Sequence, residues 1–286
     1  MIRLTEGLPD ACCPGAEMRI GRSWQGLASR HVHRVFPPGR FVSSGSVCVW
    51  IADEPPSDVD GVWRRLLHGQ EDTGLVPLLG GPFLGRPTDL AEISAVRLEN
   101  VLASDFAEYR RHRLSWWTNP QPVPVPEGIA PWPHDPGPPF ETWPGLAPAT
   151  PVTDADPSAA DAAARTIGHL IAADPYRLDG CRLVLVPAQR SADVPALLGW
   201  NADAPLPLVC ALLRSWEERF GARVVGVGGE LFVSVARPPQ TAAHAELLAL
   251  EHVLSTADNI VDDPPTPFPD YAKSLPPRTH WSFWWD

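Results

Sequence analysis

Residues 223–236, Arg-Val-Val-Gly-Val-Gly-Gly-Glu-Leu-Phe-Val-Ser-Val-Ala, place two β-rich apolar runs on either side of a Gly-Gly pair. Arg223 to Val227 and Leu231 to Ala236 read as strands joined by a hairpin at Gly228 and Gly229, because glycine tolerates the backbone geometry of tight hairpin turns. Upstream, Leu208, Leu212, Trp216 and Phe220 recur at four-residue intervals with Val209 and Leu213 beside them, an amphipathic helix that Gly221 ends. Ser191 and Pro195 predict a short helical turn closing near Gly199, and Cys181 to Val186 reads as a strand. Asp156 or Ser158 caps a helix running to about Ala173, whose buried stripe is Ile167, Leu170 and Ile171. Downstream, Thr241 caps a helix carrying Leu247, Leu250, Val253 and Leu254; Tyr271 to Leu275 is one helical turn and His280 to Trp285 a terminal strand.

In order these elements give βαββαβ preceded by one helix, the split pattern of ferredoxin-like sandwiches, which other α+β arrangements share. The N-terminal portion has a smaller α/β pattern. Strand candidates are Val32 to Phe36, Arg40 to Val42, Val47 to Ala52 and Leu75 to Leu79. Between the last two, a helix capped by Ser57 or Asp58 and ended by Gly74 places Val59, Trp63, Leu66 and Leu67 on one side, which makes a right-handed βαβ unit. Ser104 and Glu108 bracket the start of a further helix with Phe106, Arg110, Leu114 and Trp117 on one stripe. The fold class is therefore α+β.

Between the two portions the composition changes. Twelve of the 32 residues from Pro120 to Pro151 are proline and none is Lys or Arg. Proline removes a backbone donor and fixes φ, so this segment reads as an extended linker, with Trp132, Phe140 and Trp143 to hold it against the folded part. The expected organisation is an N-terminal portion over 1–119, a linker over 120–157 and a C-terminal α+β domain over 158–286.

The chain has 286 residues, 44% of them hydrophobic, which supports a substantial core. Its apolar runs are too short to cross a bilayer, and Met1, Arg3 and Glu6 open no signal-peptide core, so a cytoplasmic location is expected. Five cysteines without regular spacing describe neither a disulfide framework nor a structural zinc site, and no cofactor or metal is expected. With 23 basic and 34 acidic residues the net charge is −11, which argues against nucleic acid as a partner. The Arg110-Arg111-His112-Arg113 run is read as a solvated helix face, and His31 and His33 as surface histidines of an edge strand. Gly226, Gly228 and Gly229 belong to a hairpin turn, since no Gly-Lys-Ser/Thr follows.

Several motifs of the C-terminal part occur together in order. They are Arg190-Ser191-Ala192-Asp193-Val194-Pro195 with Gly199-Trp200, then Trp216-Glu217-Glu218-Arg219-Phe220-Gly221-Ala222 with Val224-Val225-Gly226-Val227-Gly228. Glu251-His252 with Asp258-Asn259-Ile260 and the ending Trp281-Ser282-Phe283-Trp284-Trp285-Asp286 complete the set. Over roughly residues 178 to 286 the chain resembles the bacterial family known as domain of unknown function 4253. The resemblance implies a domain boundary near its start and little chemistry. Where the family pattern tends to carry Cys-Pro, Thr256 and Ala257 stand here, so no thiol or metal role is carried over to that position.

The candidate site is the polar set Arg190, Asp193, Asn201, His252, Asp258 and Asn259, with Trp200, Trp281 and Trp284 as aromatic binding candidates. Histidine beside a carboxylate suits general acid/base chemistry, because imidazole titrates near neutral pH. Against that, Ser191 and Asp193 can cap a helical turn, and Asp258 and Asn259 can shape a helix exit. Trp281, Phe283 and Trp285 alternate onto one face of a strand, with Trp284 on the other, which favours a terminal strand buried on both faces over a binding patch. The preferred function is a non-catalytic, protein-binding module, an adaptor or neutralising partner of another protein, with neither nucleic acid nor membrane as partner. The alternative is a small hydrolase or transferase using His252 with Asp258 or Asp193.

Overall fold

Apolar residues at nearly every position of the central strands, as in 183–186 and 231–235, decide the layering. The computed structural model describes residues 38–44, 47–54, 59–81, 85–119, 128, 133–173, 181–200, 203–261 and 266–286. Among these, seven strands form one sheet: β1 (Gly39–Ser44), β2 (Val47–Ala52), β3 (Leu75–Gly80), β4 (Arg182–Pro187), β5 (Ala222–Val227), β6 (Leu231–Val235) and β7 (His280–Phe283). Their order across the sheet is β1-β2-β4-β3-β5-β6-β7. All neighbours are antiparallel except β3 and β5, which run parallel.

The expected order of elements in the C-terminal part is present, but the pairing is not that of a ferredoxin-like sandwich: β7 pairs with β6, not with β4. The two portions on either side of the proline-rich segment interleave in this sheet. β4 is hydrogen-bonded to β2 on one edge and β3 on the other, and β3 separates β4 from β5. The expected βαβ unit is realised with β4 inserted between its two parallel strands.

Both faces of the sheet are apolar and both are covered. Val49, Ile51, Val76, Leu78, Val184, Val186, Val224 and Val233 point to one face, where helices α4 (Leu98–Thr118), α7 (Leu206–Phe220), α8 (Ala242–Leu254) and α10 (Phe268–Ser274) close the larger core. Trp50, Leu75, Leu79, Leu183, Leu185, Val225 and Phe232 point to the other, under α1 (Arg64–His68) and α5 (Ala159–Ala173). Side chains at i and i+2 share a face, so strands apolar at every position are those buried from both sides.

The local signals act where expected. Gly74, Gly199 and Gly221 end their helices with φ of 65°, 57° and 61°. Ser158 Oγ accepts from the Asp161 amide at the start of α5, and Thr241 Oγ1 from the His244 amide at the start of α8. Between β2 and α1 a wider, π-helical turn spans Val59–Trp63, and a short α2 (Gln70–Thr73) precedes Gly74. Sequence reading placed the start of α4 at Ser104; it begins at Leu98, because burial of Leu102 and Phe106 extends the helix through residues without a side-chain cap. α3 (Leu90–Ala95), capped by Asp89 Oδ1 on the Ala91 amide, was not expected at all. The strand expected at Val32 to Phe36, the cap at Ser57 or Asp58, the histidines His31 and His33, and Trp132 lie outside the described residues.

The described part of the proline-rich segment has no helix or strand, yet it is bound along its length as a strap. Asp135 Oδ1 accepts from the Phe268 amide, Trp143 Nε1 donates to Glu99, and Ala147 and Thr150 bond to groups on and after α7. His244 Nε2 lies 2.7 Å from the Pro148 carbonyl, which only a donor can satisfy.

Candidate functional site

The described members of the expected polar set are distributed over separate places, each with local partners. Arg190 precedes and Asp193 ends the short helical turn Ser191–Asp193 that leads into α6 (Val194–Leu198), and both reach side chains of α7. Arg190 donates to Glu217 at 2.9 Å, to Glu218 at 2.8 Å and to the Arg214 carbonyl. The nearly buried Asp193 accepts from Arg214 Nε at 2.6 Å, and Arg214 also reaches Ser94 on α3. Burial pushes the Glu217 carboxyl up in spite of the arginine beside it. These pairs fasten α3 and the α6 turn onto α7.

Trp200 is buried and donates from Nε1 to the Gly228 carbonyl at 2.7 Å, tying the end of α6 to the hairpin. Asp258 and Asn259 open α9 (Asp258–Val261) and hold the last strand. Asn259 donates to the Ser282 carbonyl and accepts from the Trp284 amide, while the Asp258 carboxylate accepts from the Asp286 amide at 2.8 Å. Trp281, Phe283 and Trp285 are buried on one face as the alternation predicts. The expected burial on both faces is not found: the other face of β7 carries Ser282, and that residue and the following Trp284 are only half-buried, at the edge of the sheet. Asn201 lies outside the described residues.

His252 is fully buried within α8, ringed by Trp216, Trp281 and Phe283 at 4.6–5.1 Å between ring centroids. Its Nδ1 lies 2.8 Å from the Tyr271 hydroxyl, and Nε2 has no partner. Burial first, then the positive charges of Arg278 and Arg219, hold the imidazole well below its usual titration range. Burial likewise drives the Tyr271 phenol up, so this pair stays neutral at ordinary pH. The hydrogen-bond partner of His252 is thus a phenol, and Asp193 and Asp258 are engaged elsewhere.

The strongest polar centre is one that sequence reading missed. Glu251, beside His252 and fully buried, receives Arg219 through two bonds, Nη1 to Oε1 at 2.7 Å and Nη2 to Oε2 at 2.6 Å. The same carboxylate accepts from Trp216 Nε1 and from the Ala147 amide, both at 2.8 Å, and Arg219 Nη1 also donates to the Ala147 carbonyl. Such a fork-to-fork pair is the geometry in which a buried carboxylate is best compensated. Arg219 and Glu251 lie in two of the motifs that carry the family resemblance; that shared membership was the signal available.

Cys48, Cys181 and Cys210 are buried, and burial pushes the Cys210 thiol up to about 12, which leaves it inert. Among the described residues no group of three or more His, Cys, Asp or Glu could hold a metal ion. Nor is any described helix long and apolar enough to cross a membrane.

The four motif regions therefore meet as packing and clamping elements of one continuous sheet and its helices. Residues 182–286 match the family model named domain of unknown function, DUF4253. The DUF4253 match begins on the first residue of β4 and runs through β7, so it includes every motif on which the resemblance rested. It leaves out β3, which lies between two of its strands. No curated protein and no solved structure matches the chain.

Proposed function

We propose that the protein is a non-catalytic protein-binding module, a cytosolic adaptor or neutralising partner, which docks through the projecting end of α4. One observation carries this reading. The indole of Trp116 is 67% exposed on a helix end where residues 111–116 all face solvent, and Leu114, on another side of the helix, is 38% exposed. One helical turn before Trp116 come His112 and Arg113, and Arg111 stands one turn before Leu114. Tryptophan and arginine are the side chains that dominate binding hot spots, and an isolated exposed indole gains little from water. Arg190, Asp193, His252, Asp258 and Asn259 each have partners within the fold, whereas this end of α4 has surface to offer.

The test is mild cross-linking of the tagged protein in its native host, with a Trp116→Ala chain run in parallel. A stoichiometric partner recovered with the native chain and reduced at least tenfold with Trp116→Ala supports the reading. Equal recovery by both chains refutes this surface, and recovery of the protein alone refutes the module. Trp116→Ala should itself change stability by no more than about 0.5 kcal/mol, as for other exposed positions.

A further inference from the structure

A chain without helix or strand leaves its main-chain groups for its surroundings to satisfy, and the strap does so in a regular pattern. Phe140, Trp143 and Leu146, at every third position, pack against the larger core. Ala147 and Thr150, again three apart, are buried, and the remaining residues of 139–151 are exposed or half-buried. Three residues per turn is the period of an extended polyproline helix, which shows one edge to whatever it lies on. Gly145, at φ 91°, turns the chain once within the run.

The seat of the strap is built by α4, α7 and α8. Trp143 donates to Glu99 and lies 6.4 Å from Phe106 between ring centroids, both on α4. At Ala147 both main-chain groups are read: the amide donates to Glu251 at 2.8 Å and the carbonyl accepts from Arg219 at 2.7 Å. The Thr150 amide donates to the Arg219 carbonyl and its hydroxyl to the Pro238 carbonyl, while His244 reaches the Pro148 carbonyl. Apolar anchors at fixed spacing on an extended, proline-rich chain are also how separate peptides are recognised. The floor of the seat is suited to being empty as well as filled. When the strap lifts, Glu251 and Arg219 keep the two bonds between them, and water can replace the bonds to Ala147.

We propose that this groove of α4, α7 and α8 is a recognition site for an extended, proline-rich peptide of a partner protein, filled by the chain's own strap until it is displaced. The site goes beyond docking at the end of α4 and does not depend on it. The probe is a fluorescein-labelled synthetic peptide of residues 138–152, followed by anisotropy on the full-length protein. In the native chain the tethered strap competes at an effective concentration on the order of 1 mM. In Ala147→Asp the added carboxylate faces Glu251 and frees the groove, so the peptide should bind at least tenfold more tightly than to the native chain. The same peptide carrying Ala147→Asp should bind neither. An Ala147→Asp chain that unfolds cooperatively in urea yet binds the peptide no better than the native chain would overturn the site, as would equal binding of the two peptides. A native dimer that Ala147→Asp converts to a monomer would give the groove to a second copy's strap and overturn the foreign peptide as its ligand. Should Ala147→Asp not fold, hydrogen exchange on the native chain decides. The Ala147 and Thr150 amides, both bonded to the seat, should exchange at least tenfold faster than those of residues 231–235, through an opening that leaves the sheet closed. Exchange of these two amides only together with the sheet would make the strap a permanent part of the fold and overturn the proposal.

Discussion

Replacing Glu251 by Leu should destabilise the protein more than replacing Glu251 and Arg219 together. The carboxylate accepts four hydrogen bonds, two from Arg219 and one each from Trp216 and Ala147. Glu251→Leu leaves the guanidinium, 13% exposed, without its counter-ion, and breaking a buried pair from one side costs about 3–5 kcal/mol. The Trp216 and Ala147 donors lose their acceptor as well, which places the single variant at the upper end, about 5 kcal/mol. Arg219→Leu strands the carboxylate but keeps two neutral donors on it, and should cost about 3–4 kcal/mol. In Glu251→Leu/Arg219→Leu no uncompensated charge remains, only the Trp216 indole and the Ala147 backbone groups, for about 2–4 kcal/mol. Urea unfolding followed by circular dichroism gives all four corners of this cycle. A double variant less stable than Glu251→Leu, or additive single costs, would refute the view that Glu251 and Arg219 act as one compensated unit. Limited proteolysis adds a spatial check: residues 133–151 should be cut faster in Glu251→Leu than in the native chain.

Two other expectations concern the aromatic core around β7. Trp281→Ala should lose about 3–5 kcal/mol, the usual cost of truncating a buried indole, seen as a fall in the urea midpoint; an unchanged midpoint would mean that Trp281 is not packed as described. His252, neutral in the fold and with its pKa depressed by burial, takes up a proton on unfolding below about pH 6.5. The stability this contributes is complete above that value and declines as pH falls towards the folded pKa, by about 1.4 kcal/mol per pH unit. Subtracting the curve of His252→Gln from that of the native chain should isolate this slope, and parallel curves between pH 6.5 and 5 would contradict it.

What was legible in the sequence was what short-range periodicity and backbone chemistry determine. The strands read at Cys181 to Val186, Arg223 to Val227 and Leu231 to Ala236, the four-residue spacing of Leu208 to Phe220, and Gly199 and Gly221 as helix ends all appear within a residue or so of where they were read. The order of strands was not legible, because the insertion of β3 between β4 and β5 joins residues more than a hundred positions apart. The proline-rich strap was recognised as extended, but its contacts depend on acceptors and donors such as Asp135, Glu99 and Glu251 whose partners are remote in sequence. The polar set was chosen by residue type. Type alone cannot say that Asp193 meets Arg214, that Asn259 holds β7, or that His252 is sealed beneath indoles.

The position of β3 has a topological consequence. A strand that precedes its two neighbours in the chain must be threaded between them, or they must assemble on its flanks. Chains that carry β4 to β7 without it would present a slot with unpaired backbone groups on both margins, parallel-facing on the β5 side and antiparallel on the β4 side. Such a slot is complementary to one segment above all, the Leu75–Gly80 strand, whether it arrives from the same polypeptide, from a separately supplied fragment or by exchange between two molecules.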